Sequence, residues 1–354
     1  MFPFDQPAPT AFYLTLYLGT FVLHVLPMAY VVAGSAVLLV RTLAGTKPAD
    51  DPLMDHLRQW LPFVLSAAIT AGVAPLLFLQ ILYRREFYTA NLLLFNRWMA
   101  ILPVLIVAFY ALYLTKGQWL WRQSWPLRAG VALAILACFL FIGWSWTENH
   151  LLSLAGLKVW TENYSSGRIG HWSNEVLPRI GVWLGGVFAV MPALVAWPLA
   201  RGAQSAGLTQ RLALMALGGL AVSLSSAVWY ATVLDGPSRT AILGAACRAW
   251  QVAIALGIGL QVAGWIVAWR AGALAVLARW LALIGVVLAL IGGVATREAL
   301  RTSRLDLAGL VPQHQAAANV GGFWLFALCL LVNAAIIAGC VYLVARHVSP
   351  KVEN

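Results

Sequence analysis

Nine long apolar runs constrain this chain more than any other feature. They cover residues 11–43, 60–83, 98–115, 127–146, 177–200, 210–234, 241–269, 275–296 and 320–345. A helix needs about 20 such residues to cross the hydrocarbon core of a bilayer. Only helices and closed barrels satisfy their backbone groups in lipid, and the runs are continuous rather than alternating, which excludes barrel strands. The expectation is an all-α, polytopic integral membrane bundle of nine transmembrane helices, forming one domain over residues 1–354. Composition agrees, since 62% of residues are hydrophobic and only 10% charged. Soluble domains carry charge on about a quarter of their residues.

The formal net charge of +11 raises the question of nucleic acid. The 23 Lys and Arg are scattered through short connections, with no basic run. Basic residues flanking apolar spans are what lipid headgroups attract, so membrane lipid is the expected partner and nucleic acid is not. Cys138, Cys247, Cys329 and Cys340 lie in apolar runs without CxxC or CxxCH spacing. That excludes c-type haem attachment and predicts small buried hydrophobes. The N-terminal MFPFDQPAPT lacks the basic region of a signal peptide, so the first run is expected to stay as a helix. Tyr13, Tyr17, Trp119, Trp121, Trp125, Trp144, Trp146 and Trp160 crowd the span borders, as in an interfacial aromatic belt. Orientation by positive charge is a tie, with 12 Lys and Arg on one side and 11 on the other. The N-terminal tail has Asp5 and no base, which favours an outer N-terminus and an inner C-terminus.

Ionisable groups within a bilayer are expensive and usually have a partner or a task. His24 sits inside the first span, one turn after Thr20 and one turn before Met28, with Pro27 as a source of bending. It is either a haem-iron ligand, its other ring nitrogen donating to Thr20, a water or a carbonyl, or a histidine hydrogen-bonded between helices. On the expected outer side, four helix ends and a loop bring polar residues together. They include Gln80, Arg84, Arg85 and Glu86; Glu148, Asn149 and His150; Lys158, Glu162, Arg168, His171 and Glu175; Arg179; and Arg297, Glu298, Arg301 and Arg304. These arginines suit haem propionates, lipid phosphate or the neighbouring glutamates, or they form a solvated rim. The segments 147–176 and 297–319 read as connections able to hold a small cap. No P-loop, GxSxG elbow, HExxH or dinucleotide fingerprint is present, and GIGLQVAG in the seventh span reads as a close helix contact.

YLTLYLGTFVLHVLPMAYVVAG, with its histidine a few turns into the first helix, resembles the opening of subunit I of the cytochrome bd quinol oxidases. ITAGVAPLLFLQILYRREFYTAN is similar to that family's second helix, and GWSWTENH to its fourth-helix end. Nine spans with an outer N-terminus is also the family's arrangement. The resemblance implies that His24 ligates haem, with propionates reaching towards Arg84, Arg85, Arg179 or Arg297. His150 and His171 become candidates for the opposite axial position only if their segment folds back into the bundle.

Departures narrow this implication. The family's third helix carries a glutamate serving haem d, whereas WMAILPVLIVAFYALYL has no acid. Its low-spin haem b uses a fifth-helix histidine and a seventh-helix methionine, both missing here, and its quinol-oxidising loop shrinks to DGPSRT. The expected function is a cytochrome-bd-like subunit of a respiratory electron-transfer complex in the bacterial inner membrane. It would exchange electrons between quinone and a partner, such as a cytochrome c or another subunit, through haem b, without reducing oxygen itself. A haem-free scaffold subunit is the alternative. A transporter ranks last, because Pro27, Pro75, Pro103 and Pro192 show no paired placement.

Overall fold

A computed structural model describes residues 1–202 and 205–348, and among these residues there is no strand. The helices are α1 (Ala8–Leu43), α2 (Pro52–Leu82), α3 (Arg84–Leu93), α4 (Phe95–Lys116), α5 (Gln118–Trp121), α6 (Trp125–Ser153) and α7 (Gly156–Ser166). They continue as α8 (Val176–Leu199), α9 (Ala206–Val233), α10 (Gly236–Leu243), α11 (Arg248–Ala271), α12 (Val276–Arg304), α13 (Leu307–Val320) and α14 (Phe323–Val348). Among the described residues, eight helices are long and apolar enough to cross a membrane. A ninth span exists if Leu307–Val320 and Trp324–Gly339, bent by 72°, count as one. The bend falls at Gly321 and Gly322, both at positive φ, which ordinary side chains resist.

The architecture is therefore an all-α polytopic bundle. Helix α1 is its hub, packing on α2, α6, α8, α12 and α13. Its Ala29, Tyr30, Val32 and Ala33 join Leu57, Leu61 and Leu65 of α2 and Met191 of α8 in the main core. Two further pairs, α8 with α9 and α11 with α12, are held together by small residues. A Cβ added to Gly219 would lie 2.7 Å from the Gly185 carbonyl oxygen, and one on Gly257 would lie 2.6 Å from that of Gly285. Close backbone approach of this kind drives helix association where lipid removes the hydrophobic incentive. Gly257 and Gly264 thus serve as the helix contacts that GIGLQVAG suggested.

Several sequence expectations need correction. The helices of the fourth and eighth spans run past the expected span ends at 146 and 296 into the segments expected as connections, α6 to Ser153 and α12 to Arg304. Many of their side chains meet buried partners there, so the helices continue past the edge of the apolar run. The seventh run is divided, with α10 separated from α11 by Gly244 and a short 3-10 turn. Cys247 is buried as expected, but Cys138 is only half-buried and Cys329 is exposed. The side chains of Cys340 and Arg346, and the whole of Lys351, lie outside the described residues.

Candidate functional site

One end of the bundle holds a dense polar network. The last turns of α6 place Glu148, Asn149 and His150 in buried positions. His150 stands between two arginines. Arg179 Nη1 of α8 lies 2.7 Å from its Nδ1, and Arg301 Nε of α12 donates to its Nε2 at 3.0 Å. Arg179 Nε donates to the Tyr230 hydroxyl at 2.7 Å, and that hydroxyl donates to Glu175 at 2.8 Å. Arg304 reaches the other Glu175 oxygen at 2.8 Å and donates to Ser238 Oγ at 2.8 Å.

Deeper in the bundle, Arg301 pairs with the fully buried Glu298 at 3.2 Å and lies over the Tyr83 ring at 4.8 Å. Beside it, Glu148 is bound by Arg97 and by Trp144 Nε1, and Asn149 donates to Asn91. Each helix delivers these groups from its final or first turns, where the apolar run has ended and polar residues can accumulate. Asp235, at the mouth of the network, caps α10, and the hydrogen bond from Ser238, aided by Arg304, holds its carboxyl below the usual range.

His24 is placed differently. Its Nδ1 lies 2.9 Å from the Ala68 carbonyl oxygen of α2. A carbonyl only accepts, so Nδ1 carries the proton and Nε2 keeps its lone pair. Thr20 is not the partner, since Nδ1 faces the Ala68 carbonyl, and the Thr20 hydroxyl donates to the Leu16 carbonyl. The ring lies against Gly72, where an added Cβ would stand 2.9 Å from Cε1. Phe21 packs 6.3 Å from the imidazole, and the Arg297 guanidinium lies 4.9 Å over Phe21 while also donating to the Tyr17 hydroxyl at 3.2 Å.

Of the arginines singled out in the sequence, Arg297 is thus one aromatic ring away from His24. Arg179 is engaged with His150, Tyr230 and Glu175. Arg84 and Arg85 sit on the exposed side of α3, where Arg85 pairs with Glu86 at 2.9 Å. His150 meets the condition of a segment entering the bundle, but both its ring nitrogens face arginines. His171 lies 3.5 Å from Asn163 in the connection before α8, where burial lowers its pKa.

Sequence reasoning did not single out Tyr230, Arg97 or Gly72. Tyr230 and Arg97 each meet partners 51 residues away, and no local spacing encodes that. His24 would hold a haem iron through Nε2, since Nδ1 is taken by the Ala68 carbonyl and Gly72 leaves room beside the ring. Among the described residues, no three His, Cys, Asp or Glu side chains gather as a metal cluster. Comparison with protein families, with curated proteins and with solved structures finds no match.

Proposed function

We propose that this chain is a cytochrome-bd-like integral subunit of a respiratory electron-transfer complex, exchanging electrons between quinone and a partner through a haem b held by His24. The observation that carries the reading is the hydrogen bond from His24 Nδ1 to Ala68. A backbone acceptor on one ring nitrogen fixes the tautomer, orients the ring and raises the basicity of the other nitrogen, as in metal-ligating histidines. Gly72 leaves the ring its space, and Arg297 supplies a cation near the same part of α1 for a carboxylate of the group. Bound there, a haem supplies a one-electron couple within the membrane.

The reading places the chain in a bacterial inner membrane, with the N-terminus periplasmic and the C-terminus cytoplasmic. The His150 end then faces the periplasm, where a cytochrome c or another subunit docks. Oxygen reduction is not part of it, since the third span offers no carboxylate to an oxygen-reacting haem. Steady oxygen uptake with a reduced quinol, by the chain freed of other oxidases, would contradict this.

The same hydrogen bond supports a second reading. It ties α1 to α2 without any ligand, as in a haem-free scaffold subunit. A reduced-minus-oxidised spectrum of the purified full chain separates the two. The first reading expects an α-band in the b-haem region that His24→Ala removes while the helices stay inserted. A wild-type chain without the band, or a variant with an unchanged band, makes His24 a structural histidine. A C-terminal reporter active only in the periplasm would overturn the topology.

A further inference from the structure

Two buried histidines in this fold solve the same problem differently. His314 of α13 has a hydroxyl on one side and a carbonyl on the other. Thr10 Oγ1 lies 2.8 Å from its Nδ1, and the Leu82 carbonyl lies 3.0 Å from its Nε2. Nε2–H donates to Leu82, Nδ1 accepts from Thr10, and the neutral ring is satisfied.

His150 has no such solution. Both its neighbours are guanidinium groups, which have only donors and keep their charge in proteins. A neutral imidazole has one lone pair. With Arg301 donating to Nε2, the proton sits on Nδ1 and points at an Arg179 N–H only 2.7 Å away. Charge repeats the mismatch. Arg179, Arg297, Arg301 and Arg304 all act electrostatically on His150, whereas the carboxylates among them are Glu175, Glu298 and the exposed Asp235, which lies 3.7 Å from Arg304. Glu175 is already shared by Tyr230, Arg179 and Arg304. Surplus buried cations are costly without a counter-charge.

We infer that a phosphate group seats against Arg179 and His150, accepting from Arg179 Nη1 and from His150 Nδ1–H together once the two side chains part from their 2.7 Å contact. One acceptor there turns the conflict into two hydrogen bonds. Its charge also offsets the arginine surplus, which a water molecule in the same place would not do. An open cleft of about 470 Å³, lined by Arg304, Ser238, Ser303, Glu175 and Asp235, adjoins the network. The inference does not depend on haem at His24, and its readouts are independent of any spectrum.

The test uses the purified, delipidated full chain in detergent. Its melting is followed in inorganic phosphate against chloride at matched ionic strength, and its residual phosphorus is assayed. A ligand that binds only the folded state raises its stability by mass action. A phosphate-specific rise in the melting midpoint, lost in Arg179→Gln and kept in Arg122→Gln at an exposed site, supports the inference with a free oxyanion. Absence of that rise, with about one phospholipid phosphorus per chain retained by the wild type and lost in Arg179→Gln, supports it with a lipid headgroup as the source. A wild-type chain that shows neither the rise nor retained phosphorus overturns it, whether or not the variant folds.

Discussion

The two ends of the bundle use the same residue types to opposite effect. At the end opposite His150, Asp51 is buried and caps α2, accepting from the Leu53 and Met54 backbone N–H groups. It also pairs with Arg41 at the end of α1, at 2.6 Å, and with Arg211 near the start of α9, at 2.9 Å. Two arginines share one carboxylate there, with Arg41 Nε buried without an acceptor, and three helices are tied by that carboxylate. At the His150 end it is an imidazole that stands between two guanidinium groups, while Glu298 Oε2 stays buried without a hydrogen bond. A carboxylate between arginines makes a structural knot, while an imidazole between them makes a place for something else.

The sharpest way to break this contrast is Glu298→Ala. It leaves Arg301 buried without its carboxylate, and breaking a buried pair from one side costs about 3–5 kcal/mol. Unfolding of the variant in detergent measures it. A cost no greater than that of a surface substitution would mean that the His150 end is an ordinary solvated rim. Asp51→Ala comes next, at about 2–3 kcal/mol, because it removes a helix cap together with two ion pairs. Its partners are partly solvated, with side chains 31% and 41% exposed, so they are left less stranded than Arg301 would be.

Acidification refines the same comparison. Burial alone would raise the Asp51 pKa, but Arg211 and Arg41, with the capping N–H groups, hold it below the ordinary value. A carboxyl depressed in the folded state stabilises fully above its unfolded pKa, and that contribution is lost as pH falls through the folded one. Melting curves should therefore weaken on the acid side, and Asp51→Asn should flatten that limb. An unchanged limb would remove Asp51 from the knot. The smallest effect is expected from Arg85→Ala, within about 0.2–1 kcal/mol, since the Arg85 side chain is 74% exposed. A larger loss would mean that the buried Glu86 carboxylate needs Arg85 as its counter-charge.

How much of this was legible beforehand differs from residue to residue. The apolar runs carried the helices, and Gly257 and Gly264 carried one helix contact, because both are local patterns along a single segment. Asp51 was not singled out from the sequence, and its pairing with Arg211 has no local signal, since 160 residues separate the two. His24 was legible as a polar residue where polarity is costly. Ala68, which fixes its tautomer, presents only a backbone carbonyl that no side-chain pattern can announce. Whether the polar ends of α6 and α12 pair or form a solvated rim stayed open for the same reason, because partners brought by α4, α8 and α9 decide whether such residues can be buried.

By itself, then, the sequence determined that the chain is a helical membrane bundle, since hydropathy over about 20 residues sets the solvent that a segment tolerates. Only the tertiary structure decided which charges meet. It gave His314 a hydroxyl and a carbonyl, and His150 two guanidinium groups. Helix packing brings such neighbours from across the chain, and an imidazole's hydrogen bonds depend on what faces each nitrogen rather than on what precedes it.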